Sequence, residues 1–387
     1  MPIKLTRIAI TCILASFTFV SYSQSIIIEK GIKLPKDSVV SKQLISSLNG
    51  FLAQKEKPNK ENAFVLKDNL PETSALLDEM KGMEANAKAN DFFKPYLNNV
   101  VKLDENNYII QFSYLGVLEN APLLRATFNL VAKREGDKFY FSSPLKQNTI
   151  GWKTKKMGNV TYHYKDTLAK ADAKKYLEMV DFYDRKLKVP EQPIAFYYCD
   201  NLPEALQLTG IEYKAYYNGS GSDDLSSHEN GECLMVAGGR VYQYSFDLHD
   251  LWHERLRYVI GTDKTNRPVD EGCAYLYGGS WGYSWPEVLS KFKKYVADHP
   301  DADWLNLYIQ GTNFEGGDRP MKIPNILNAL IVQKIEREKG FAPVMELLTC
   351  GKKEQGDENY FKALEKATGI SKADFNVEMW KLIKGPN

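Results

Sequence analysis

Two histidines stand four residues apart in HDLWHERLRY, residues His249 to Tyr258. Leu248, Leu251, Trp252, Leu256, Val259 and Ile260 recur around them at helical intervals. On a helix these apolar side chains form one broad arc. His249 and His253 share one border of it, and Asp250, Glu254 and Arg257 lie opposite. Side chains at i and i+4 leave the same helix face, so both imidazoles can point at one ion. A third donor must then come from another element. Glu271 follows His253 by 18 positions, inside PVDEGCAYLYGG. The residue after the first histidine lies where a carboxylate can take a proton from an attacking water, and here it is Asp250.

A second frame reads His253, Glu254 and Arg257. A guanidinium stays protonated and cannot ligate a metal. That frame describes a dead site, with only 13 residues between Arg257 and Glu271. The first frame keeps three ligands, His249, His253 and Glu271, and is preferred.

The pattern resembles the gluzincin peptidases, zinc metallopeptidases with an H-E-x-x-H helix and a third ligand in a Glu-Gly-x-Ala element. Glu271-Gly272-Cys273-Ala274 after Pro268 fits the second element. HDLWH departs from the first, because Asp250 stands where the family has Glu. The resemblance covers roughly residues 155–387, including the ending ALEKATGISKADFNVEMWKLI. It implies a zincin-like fold, a bound Zn2+ ion, hydrolysis of peptide bonds and Asp250 as the base. In the family the small residues let two helices pack closely around the ion. Asp is one methylene shorter than Glu. Its carboxylate would sit about 1.3 Å back, and such a misplacement can cost about 10²-fold in rate.

The rest of the chain divides at about residue 150. Lys4 and Arg7 precede the apolar run Ile8 to Val20, and Ser21 and Ser23 follow. That arrangement predicts a signal peptide over 1–23 and an exported protein, periplasmic or secreted. The run has 13 residues, too short for a bilayer span of about 20. Removing it leaves 48 basic against 49 acidic residues. That balance gives no electrostatic case for nucleic acid. Residues 24–150 predict a separate α+β domain. Helical spacing of Leu76, Leu77, Met80 and Met83 is followed by β-rich runs, with a hairpin turn at Gly136-Asp137. In architecture it resembles the cone-shaped fold of the nuclear transport factor 2 superfamily. Residues 151–387 predict the zincin-like domain, so the fold class is α+β throughout. It opens with an amphipathic helix in LAKADAKKYLEMVDFYDRKLKV and a strand in IAFYYCD, followed by a short helix ended by Gly210. IEYKAYYNGSGSDDLSSHEN then reads as a long loop holding His228, and GECLMVAGG as a strand.

Cys199, Cys233, Cys273 and Cys350 form no C-x-x-C pair, so a thiolate zinc site is not expected. Export permits one or two disulfides among them, and their spacing assigns none. Cys273 is a buried hydrophobe or, in the sharper reading, a nucleophile. Arg255 and Arg257 read as surface charges or, in an inactive protein, as holders of Glu271. Tyr277 and Trp281 in the cluster YLYGGSWGYSW are candidates for a wall that binds peptide or glycan, or are packing residues. The resemblance also implies a tyrosine that donates to an oxyanion, and Tyr275 and Tyr277 are the candidates. Two functions follow. One is an exported metallopeptidase acting on peptide or protein. The other is an inactive protein of the same fold that binds peptide or glycan in the same cleft.

Overall fold

The computed structural model describes residues 25–215, 224–239, 245–261, 264–352 and 354–385. The expected signal peptide lies outside them. The fold is α+β.

The first half begins with β1 (Ile27–Ile28), α1 (Ser38–Ala53) and α2 (Leu70–Met80). Four strands follow: β2 (Lys94–Lys102), β3 (Asn107–Leu118), β4 (Ala121–Glu135) and β5 (Lys138–Ser142). They pair in chain order. Alternation drives the sheet onto its helices. Tyr108, Ile110, Phe112 and Tyr114 of β3 are buried with Phe128, Leu130 and Ala132 of β4. Leu44, Leu48 and Phe51 of α1 and Leu76, Leu77 and Met80 of α2 close the same core. The hairpin turn at Gly136-Asp137 is where its sequence placed it. Helix α1 was not expected, and α2 stops short of Met83 because Lys81 turns extended directly after Met80.

Helix α3 (Leu145–Asn148) leads to the second half. There β6 (Lys153–Met157), β7 (Val160–Tyr164), α4 (Lys170–Leu187), β8 (Ile194–Cys199) and α5 (Leu202–Thr209) follow in order. Next come β9 (Ile211–Lys214), β10 (Asp224–Glu229) and β11 (Glu232–Gly238). The segment expected as one long loop therefore holds two strands. β9 adds to the first sheet beside β4, with Thr127 opposite Tyr213. β10 forms a hairpin with β11, and His228 lies in it opposite Cys233. A loop-like composition is overridden here because each segment completes a neighbouring strand's hydrogen bonds.

The second sheet runs β10-β11-β8-β7-β6, with β8 parallel to both neighbours. It is buried on both faces. Cys233, Met235 and Ala237 face α4 and the later helices, whereas Leu234 and Val236 face the core of the first half. A one-residue slip would exchange the two sets, so both cores fix its register.

The remaining chain is mainly helical: α6 (Leu248–Val259), α7 (Arg267–Gly278), α8 (Trp285–Asp298) and α9 (Trp304–Gln310). A small hairpin, β12 (Asn313–Glu315) and β13 (Met321–Lys322), precedes α10 (Ile323–Lys339), α11 (Ala342–Leu348), α12 (Glu358–Thr368) and α13 (Phe375–Lys384). α10 is the central rod, buried all round from Ile323 to Val332 and exposed in its charged last turn. Helix α7 lies between α10 and α6 and touches both at glycines. A Cβ on Gly272 would stand 2.6 Å from Asn328 Cβ and 2.8 Å from Ala329 N. A Cβ on Gly278 would stand 2.5 Å from His249 N and Leu248 O. The glycine of the EGCA segment thus serves the α7–α10 contact, and the approach of α7 to α6 falls to Gly278. Among the described residues no helix is long and apolar enough to cross a membrane.

Candidate metal centre

Helix α6 starts at Asp247, whose Oδ1 accepts from His249 N at 2.7 Å and Asp250 N at 3.3 Å. This cap satisfies two of the orphan donors at the helix start and fixes the turn that carries His249. Helix α7 starts after Asn266 with Pro268 in its first turn, where a missing N–H costs nothing. The pairing of these two helices brings His249, His253 and Glu271 together.

The two Nε2 atoms lie 3.2 Å apart. Glu271 Oε2 is 3.5 Å from His249 Nε2, and its Oε1 is 3.8 Å from His253 Nε2. Tetrahedral zinc with bonds near 2.0–2.1 Å sets neighbouring donor atoms about 3.3–3.4 Å apart. The donors already stand near that spacing, so the residues fit a metal ion.

Both rings are oriented from behind. His249 Nδ1 lies 2.7 Å from Gly279 O, and His253 Nδ1 lies 2.7 Å from Asp270 Oδ1. Each acceptor calls for a proton on Nδ1, which leaves Nε2 as the free donor for an ion. Asp270 is buried and also accepts from Trp252 Nε1 at 3.1 Å. The sequence pattern gave no sign of Asp270.

Burial opposes a charge on His249. The hydrogen bond and charge of Glu271, helped by Asp250 and Asp247, outweigh burial and push its pKa up to about 10. Burial likewise opposes the Glu271 carboxylate. The His249 hydrogen bond and the charges of His253, His249 and Arg267 hold it well below the usual carboxylate range.

Asp250 Oδ2 is buried and has no hydrogen-bond partner. Such an acceptor is costly unless another group meets it. Near it, burial and the charges of Asp250 and Glu254 push Asp224 well above the carboxylate range. The face of α6 opposite the apolar arc is therefore covered. Glu254 is buried under β10, accepts from Ser226 Oγ at 2.5 Å and pairs with Arg257.

The surface reading holds for exposed Arg257 and needs correction for Arg255. Arg255 is fully buried and grips Asp184 with Nε at 2.6 Å and Nη2 at 2.9 Å, which ties α6 to α4. Position 255 falls inside the apolar arc, between the directions of Leu251 and Trp252, so the wheel itself carried the signal. Arg257 is engaged with Glu254 rather than Glu271. The arginine on Glu271 is Arg267, with Nη2 2.5 Å from Oε1.

The aromatic candidates part company. Tyr277 donates to Glu336 Oε2 at 2.7 Å, and its ring packs on Trp252, Phe182 and Tyr183. It also lines a cavity of about 550 Å³ with Phe246, Leu248, Gly279, Tyr283 and Trp285. That cavity is lined by none of the three ligands. Trp281 donates to Pro320 O at 2.9 Å. Tyr275, whose ring centre is 5.8 Å from that of His249, is the tyrosine nearer the site, and burial pushes its hydroxyl up to about 12. The four described cysteines are free thiols. Cys273 is fully buried, and burial drives its pKa well above the ordinary value, which is contrary to a nucleophile's needs.

No family model matches the chain. No curated protein sequence matches it either.

Proposed function

We propose that the chain is an exported zinc peptidase of the gluzincin type, with its first half as an accessory α+β unit. The observation that carries this reading is the convergence of two Nε2 atoms and one carboxylate at metal spacing, with both Nδ1 atoms committed elsewhere. When bound there, zinc supplies Lewis acidity and a water whose pKa falls to about 7. The chain's own residues do the rest. His249 and His253 are held in one tautomer by Gly279 and Asp270, so no reorientation is needed on binding. Asp250, one residue after His249, supplies the buried oxygen that lacks a partner and takes the proton of the attacking water.

One observation favours a second reading, a peptide- or glycan-binding protein on the same scaffold. The base is Asp, a methylene short of the family's Glu. Residues 24–387 loaded with zinc and offered a broad peptide library distinguish the two. The peptidase reading expects slow cleavage that chelation stops. It expects D250E to keep the metal and raise the rate about ten- to a hundredfold, and D250N to keep the metal and stop turnover. Bound zinc with no cleavage by wild type or D250E refutes the peptidase reading in favour of the binding protein.

A further inference from the structure

We infer that Arg267 is a positioning residue that selects which oxygen of Glu271 faces the ion and so holds the centre to one-point carboxylate ligation. The inference rests on the metal reading above.

Arg267 precedes Glu271 by one helical turn on α7, so the two side chains share a face. Its guanidinium reaches two carboxylates at once. Nη2 lies 2.5 Å from Glu271 Oε1, and Nη1 lies 3.5 Å from Asp270 Oδ2. Asp270 is itself fixed by His253 and Trp252. The same arginine therefore joins the third ligand to the group that orients the second. The two oxygens of Glu271 are unequal as a result. Oε1 is in a close ion pair with the guanidinium. Oε2 faces His249 Nε2 at 3.5 Å, on the side of the ligands, and accepts from Asn325 Nδ2, also at 3.5 Å.

A carboxylate that gripped an ion with both oxygens would have to release Arg267 from Oε1. Keeping that ion pair would leave Oε2 alone for the ion and would leave room for a water. Small ions that accept four donors suit such a centre. Larger ions that favour more oxygen contacts do not. A lysine at 267 would supply one point charge in place of a planar fork, so it can hold Oε1 or Asp270 but not both.

The test uses the full mature chain, R267Q and R267K. Arg267 is 61% exposed at its side chain, so neither substitution opens the core. Each protein is titrated with Co2+, Zn2+ and Mn2+. The visible Co2+ bands report coordination number directly, being strong for four donors and weak for five or six. Wild type is expected to give the strong spectrum. R267Q is expected to give the weak one, and its preference for Zn2+ over Mn2+ is expected to fall about tenfold, as for loss of an outer partner of a metal ligand. R267K is expected to fall between. Identical spectra and identical ion preference in all three would overturn the inference and leave Arg267 a surface ion pair, with the metal centre intact. Failure of wild type to bind any of the three ions would overturn the metal reading and this inference with it.

Discussion

Replacing Asp270 by Ala tests how much of the centre is built from behind. Two buried donors, His253 Nδ1 and Trp252 Nε1, share its Oδ1 at 2.7 and 3.1 Å. Each loses its acceptor in D270A. A buried donor left unpaired costs about 1–3 kcal/mol. Two give about 2–6 kcal/mol, and a water entering the vacated carboxylate space brings the expected loss to the lower half, about 2–4 kcal/mol. His253 also loses the contact that fixes its tautomer, which weakens zinc binding about 10- to 100-fold. D270N keeps an acceptor of the same shape, so its losses are expected to be about half as large on both scales. Urea unfolding in excess chelator, followed by tryptophan fluorescence, gives the metal-free stability. Competition with a chelating dye gives the zinc affinity. If D270A unfolds at the wild-type midpoint with an unchanged slope, and binds zinc within twofold of wild type, the orienting role of Asp270 is wrong.

Two further outcomes follow from the same geometry. G272A forces a methyl to within 3 Å of Asn328 Cβ and Ala329 N on α10. The expected cost is about 1–3 kcal/mol in thermal unfolding, and an unchanged melting temperature would deny the close contact of α7 and α10. His249 has a folded pKa of about 10 against 6.5 when unperturbed. The stabilisation from its charged form is therefore full below about pH 6.5 and is lost as pH rises towards 10. The metal-free wild type is expected to lose stability across that window more steeply than H249Q; equal slopes would mean that Glu271 does not hold His249 charged.

Much of the second half was legible because its signals are local. The i, i+4 histidines and the apolar arc place α6, and the EGCA segment with Pro268 places α7. Their convergence follows from two amphipathic helices burying adjacent faces. What escaped depends on the partner across space. Asp270 looks like any acid in a first helical turn, and only the fold puts it behind His253. β9 reads as loop because its partner β4 lies some eighty residues earlier in the chain. The loop expected around His228 is a strand for a different reason: the polar composition of DLSSHE hides a local hairpin with β11. The division near residue 150 marks where the chain leaves the first sheet for the second. Yet β9 returns to the first sheet, and Leu225, Leu234 and Val236 of the second sheet complete the first core. Arg255 shows a different failure. Its charge suggested the surface, while its place on the wheel pointed inward, to Asp184.

The most direct measurement is the zinc stoichiometry of the purified mature chain beside H253Q and E271Q, after loading and exhaustive dialysis. Two imidazoles and one carboxylate at zinc spacing predict one tightly held ion per chain, with X-ray absorption showing two imidazole neighbours at about 2.0–2.1 Å. Both variants are expected to lose that ion. A wild type that retains no zinc, or one whose zinc survives both substitutions, would contradict the account.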